Sequence, residues 1–194
     1  MAEKKYVHAI KIDNETHYLK DEETAAAIEE INKTLEDLLY KEIVVTSFTN
    51  NVGTVEIGST VNSVKLTWAT NKTPSSLTLD SSSISASLTE KIFENLNLKP
   101  TSVSSKTYTL KATDERSHTA TKTTSINFYN GIYYGVGATE NGFTSNMIVK
   151  LNKSLQNTKA YDFTVTPNAQ YIYYAVPSRL GTVTFKVGGF EGGF

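Results

Sequence analysis

From Ile43 onward, apolar residues recur at every second position in short runs separated by Ser and Thr, and this alternation most restricts how the chain can fold. A strand with period two is dry on one face and wet on the other, so such runs must bury their apolar faces against each other. Val64, Leu66 and Trp68 form one run, which ends at a turn over 71–74, and Leu77 with Leu79 begins the next. A serine-rich connection is expected over 80–87. The stretch 88–98 reads two ways, because Ile92, Phe93 and Leu96 suit a helical face as well as a strand, and Pro100 then ends it; the strand reading is favoured. Tyr108, Leu110 and Ala112 alternate again, a polar turn follows at 114–117, and 119–128 returns as the second arm of a hairpin.

Runs about 8 to 12 residues apart, with one buried Trp candidate, predict an Ig-like β-sandwich over 43–129. The chain has no cysteine, so the disulfide typical of antibody domains is absent, as it is from many sandwiches of this architecture. Thiolate zinc sites are excluded on the same ground.

The first 42 residues have a different period. Ile10 and Ile12, then Asp13 and Asn14, then 17–19, predict a small hairpin. Asp21 is a candidate N-cap, followed by Glu22 and Glu23 where the helix dipole favours negative charge, and a helix is expected to run to Tyr40. Its apolar positions Ile28, Ile31, Leu35 and Leu38 are spaced three, four, three, which is the a/d seam of a short coiled coil. A helix this short is marginal alone, so its stripe must be covered, either by sister chains or by the β region. Ile at both a and d favours a homotrimer over a dimer, whereas the lower Leu pair is less decisive. Segment 1–42 is therefore expected to be a hairpin with an oligomerisation helix.

After Asn130 and Gly131 the composition becomes aromatic and glycine-rich, with Tyr133, Tyr134, Phe143, Tyr161, Phe163, Tyr171, Tyr173 and Tyr174. A second small β module is expected over 130–194. Its final run Gly-Gly-Phe-Glu-Gly-Gly-Phe ends no element in a usual way, so the native chain is expected to continue beyond Phe194.

Three segments carry a family likeness: HAIKIDNETHYLKDEETAAAIEEIN (8–32), KTYTLKATDERSHTATKTTSINFYNGIYYGVG (106–137) and YIYYAVPSRLGTVTFKVGGFEGGF (171–194). The chain resembles tail-fibre and baseplate-associated proteins of phages and prophages of Gram-positive bacteria. The resemblance implies a virion structural role, commonly as a homotrimer, with other tail or baseplate proteins and a host cell-wall glycan as partners. It implies a chain made in the host cytoplasm and residing in the virion tail. The rival reading is a bacterial surface adhesin or carbohydrate-binding Ig-like module.

Nothing in the sequence composes a catalytic set. His8, His17 and His118 belong to no nucleophile motif, and with Asp13 and Asn14 as a two-residue turn, His17 would face Ile10. The carboxylate pairs Glu22/Glu23, Glu29/Glu30, Glu36/Asp37 and Asp114/Glu115 read as solvated charges. The four glycosylation sequons at Asn14, Asn32, Asn71 and Asn152 are what chance supplies in a chain rich in Ser and Thr. No enzyme activity, metal or cofactor is expected. Nineteen basic against twenty acidic residues give no footprint for nucleic acid, and no apolar run is long enough to span a membrane. Tyr133, Tyr134, Tyr171, Tyr173 and Tyr174 are candidates for receptor or subunit contact, with core packing as their other use.

Overall fold

The computed structural model describes residues 9–12, 15–18, 22–138, 144–166, 168, 170–187 and 190–191. The chain is mainly β and divides into two compact units, Met1–Glu42 and Ile43–Phe194.

In the first unit, β1 (Ala9–Ile12) and β2 (Glu15–Tyr18) pair antiparallel, with Ile10 opposite His17 and Ile12 opposite Glu15. That is the register a two-residue connection imposes. The expected turn residues Asp13 and Asn14, the cap Asp21 and His8 lie outside the described residues. Helix α1 (Glu22–Leu39) follows, matching the expected span to within a residue at each end. Ala25, Ala26 and Ala27 favour it intrinsically, while the Thr34 hydroxyl donates to the Glu30 carbonyl at 2.9 Å.

The second unit begins with β3 (Val45–Asn50), β4 (Thr54–Glu56), β5 (Val64–Thr70), β6 (Ser76–Leu79), β7 (Ser82–Ile84), β8 (Glu90–Phe93), β9 (Ser104–Thr113) and β10 (Thr119–Gly137). A single helical turn (Ser145–Ile148), β11 (Asn152–Gln156), β12 (Tyr171–Ala175), a 3₁₀ turn (Ser178–Leu180), β13 (Lys186–Val187) and β14 (Phe190–Glu191) complete it. One antiparallel sheet has the order β3-β5-β8. The other runs β7-β6-β9-β10, and β4 adds to the far edge of β10 in parallel. Phe48, Leu66 and Trp68 from the first sheet and Leu77, Leu79, Tyr108, Leu110, Ala112, Ile126 and Phe128 from the second form one buried cluster. Phe93 stacks on Tyr108 at 5.7 Å, and the Trp68 indole N–H donates to the Leu88 carbonyl at 2.8 Å. The alternating residues read from the sequence are thus the core, as a half-buried sheet requires.

Four details refine the sequence reading. The serine-rich connection contains a strand, β7, because Asp80 and Ser81 both take positive φ (48° and 67°) and close a two-residue hairpin with neither Asn nor Gly to announce it. The stretch 88–98 is a strand followed by irregular backbone, with Asn95 and Asn97 at positive φ and Leu98 bridged to Val61. Asp114 is buried rather than solvated: its carboxylate accepts from the backbone N–H groups of Ile43, Arg116 and His118 and lies 3.3 Å from Lys72 Nζ. Finally, β10 outruns its partner arm and passes without a break through the 129/130 position where the composition changes.

Between β3 and β4 the chain crosses from one sheet to the other. Asn50 holds that crossing: its amide donates to the Thr124 hydroxyl (2.8 Å) and the Ser125 carbonyl (3.0 Å), while its carbonyl accepts from Val52 and Gly53. Gly53 itself sits at φ 67°, where a side chain would be strained.

Candidate functional site

Two surfaces carry the residues singled out from the sequence. On α1, Ile28, Ile31, Leu35 and Leu38 are 51%, 64%, 52% and 78% exposed, and Leu39 extends the stripe. Apolar side chains concentrated on one helical face mark an association surface more strongly than the same residues scattered would.

The second surface is built on the C-terminal half of β10. Residues 130–134 pair with β11 on one edge, and residues 133–137 pair with β12 on the other. Register then decides which tyrosines can act together. Tyr134 stands opposite Tyr174, on the face that carries Ile126 and Phe128 into the core. Tyr133, Tyr171 and Tyr173 project from the opposite face. The five candidate tyrosines therefore form two groups, and a single ligand cannot touch all of them from one side.

The inner group is packed. Phe163 lies 4.7 Å from Tyr134 and 5.2 Å from Tyr174, nearly parallel to the latter, and Phe185 meets Tyr174 edge-on at 4.9 Å. Tyr161 closes the cluster against Tyr134 at 5.8 Å. Such ring pairs add roughly 0.5–1.5 kcal/mol each beyond area burial. The expected Phe143 lies outside the described residues.

The outer group meets charge. The Tyr133 hydroxyl donates to Glu56 Oε2 at 2.8 Å, Lys153 Nζ pairs with the same oxygen at 2.8 Å, and Lys153 also lies 5.6 Å from the centre of the Tyr133 ring. Gly131 is the floor of this cluster, because a Cβ there would overlap the Glu56 carboxylate. Beside it, Arg179 donates to the buried Asn130 amide carbonyl at 2.8 Å. Partial burial pushes the Glu56 carboxyl up, but the hydrogen bonds from Lys153 and Tyr133 and the charges of Lys153 and Arg179 outweigh it, leaving it below the ordinary range. The Glu56 hydrogen bond raises Lys153 against its own desolvation, and burial with the same carboxylate raises Tyr133. Further along β12, Tyr173 lies over Gly137, and Tyr171 is 46% exposed.

Sequence reasoning missed Glu56, Asn130, Lys153 and Arg179. Glu56 is 77 positions from Tyr133, and only the parallel placement of β4 on β10 brings them together.

Among the described residues, no group of three or more His, Asp or Glu side chains is placed to hold a metal ion. His118 lies beside Asp114 at 3.6 Å, and His17 is on β2. No helix among the described residues is long and apolar enough to cross a membrane. No family model, curated protein or solved structure matches the chain.

Proposed function

We propose that the chain is a structural component of a phage tail or phage-tail-like particle, in which α1 joins three copies and the β unit projects as a spacer. The observation that carries this reading is the exposed a/d stripe of Ile28, Ile31, Leu35 and Leu38. Burying each such side chain is worth about 2 kcal/mol, so three short helices that share one seam gain what one alone lacks. Ile28 and Ile31, at a and d, favour three strands over two.

The β unit is read as an Ig-like sandwich. With β3, β5 and β8 as strands A, B and E, and β6, β7, β9 and β10 as C, C′, F and G, the two sheets divide as A-B-E and C′-C-F-G. Tyr108 stands two residues before Leu110, which takes the place of the second disulfide cysteine. Trp68 departs from the pattern by standing on B rather than on C. The likeness of 8–32, 106–137 and 171–194 to tail-fibre and baseplate-associated proteins supplies the particle. On this reading the protein performs no reaction, and the tyrosines of the outer face, Tyr133, Tyr171 and Tyr173, are the candidates for contact with a subunit or a cell-wall receptor.

Antibody labelling of particles from a strain that encodes the chain tests the reading in electron micrographs. Label confined to the tail or its distal end is expected. Label on the cell surface with bare particles would favour the adhesin reading instead.

A further inference from the structure

We infer that the parallel pairing of β4 with β10 is a shear clamp that lets the second unit bear tension along its length, an inference that rests on the structural role just proposed. The argument starts from topology. β3 and β4 are the first strands of the unit, whereas β10 is the long strand of the larger sheet that runs on past β4 to pair with β11 and β12. β4 runs parallel to β10, with Thr54 opposite Asn127 and Glu56 opposite Tyr129. Tension that enters at the start of β4 and leaves at the end of β10 pulls these neighbours in opposite directions along their length. The ladder hydrogen bonds of a parallel pair are evenly spaced, so they share that load instead of opening one after another.

Two of these bonds are the Asn127 N–H to the Gly53 carbonyl and the Ile57 N–H to the Tyr129 carbonyl, both 2.9 Å. Side chains reinforce the pair at both ends. Upstream, Asn50 ties the sheet crossing to Thr124 and Ser125 of β10. Downstream, β11 continues along the β10 edge that β4 occupies, and Lys153 of β11 reaches back to Glu56 of β4, which also receives the Tyr133 hydroxyl. Sliding β4 along β10 must therefore break the Glu56 contacts together with the backbone ladder, and Ile57, buried in the core, must be dragged from its site. At about 3.3 Å per residue, the 19-residue β10 gives the load a continuous path of about 60 Å.

The experiment is single-molecule pulling on the full chain, which has no native cysteine to compete with engineered handles. Val44→Cys with Ala138→Cys, both at exposed positions, puts β3 and β4 in the load path and loads β4 against β10 in shear. Ser81→Cys with Ala138→Cys leaves β4 out of the load path. Forced unfolding reports the barrier, so the first pair is expected to rupture at about twofold higher force than the second at equal pulling speed. Glu56→Gln, and independently Tyr133→Phe, are expected to lower the force in the first geometry alone. Equal forces in the two geometries, or a first-geometry force that neither variant lowers, would overturn the clamp. Failure here leaves the trimer standing, and a monomeric chain with a strong clamp leaves the clamp standing, so the two readings fail separately.

Discussion

The carboxylate of Asp114 accepts a hydrogen bond from the backbone N–H of Ile43 at 3.1 Å, joining the β9–β10 turn to a residue 71 positions earlier. The same side chain accepts from the Arg116 and His118 N–H groups within its own turn and is fully buried. Removing it strands three donors. Asp114→Ala is expected to cost about 3 kcal/mol in urea unfolding, and Asp114→Asn less, since its amide oxygen still accepts. A loss under about 1 kcal/mol for the alanine variant would show that the turn does not depend on this anchor.

Gly131 and Glu56 are expected to be strongly coupled. Alanine at 131 occupies the carboxylate's place, so Glu56 must swing away and give up Tyr133 and Lys153. Gly131→Ala should cost about 1–2 kcal/mol in the native chain and close to nothing when Glu56→Ala is already present. A double-mutant cycle by chemical denaturation measures this, and additive costs would contradict it.

The pH dependence of that cluster has a fixed sign. The Glu56 carboxyl is depressed in the folded state, so its contribution is full above the ordinary glutamate pKa and disappears as pH falls through the depressed value. Lys153, raised in the fold, stays charged throughout that window. The stability gap between the native chain and Glu56→Gln is therefore expected to be flat near neutrality and to close below about pH 4. Its size should be under about 1 kcal/mol, because both partners are partly solvated and screened. A gap that widens on acidification would contradict the assignment.

Among the described residues the buried Tyr108 hydroxyl finds no hydrogen-bond partner, although its ring stacks on Phe93 and lies under Lys106. Tyr108→Phe keeps the ring contacts and removes the orphaned group, so stability should hold or rise by about 1 kcal/mol. A clear loss in thermal unfolding would reveal a partner for that oxygen.

What could be read from the sequence was whatever leaves a local period. The runs at Val64, Leu66 and Trp68 and at Tyr108, Leu110 and Ala112 are buried as their alternation requires, and the three-four-three spacing from Ile28 to Leu38 lies on one 18-residue helix. Hidden features depend on neighbours distant in sequence. β4 is three residues long, and nothing near it shows that it will add in parallel to β10. Asp114 looks like any turn aspartate until Ile43 and Lys72 close over it. The tyrosines were visible as a group, but their division between two faces follows from the β10–β12 register, which no local signal fixes.

The most direct test of the assembly account is the mass of the full chain in solution, measured by light scattering behind size exclusion at micromolar concentration. A trimer is expected, together with a monomer for the Ile31→Asp, Leu35→Asp variant whose β unit still unfolds as in the native chain. A native chain that remains monomeric as its concentration is raised a hundredfold would contradict the account.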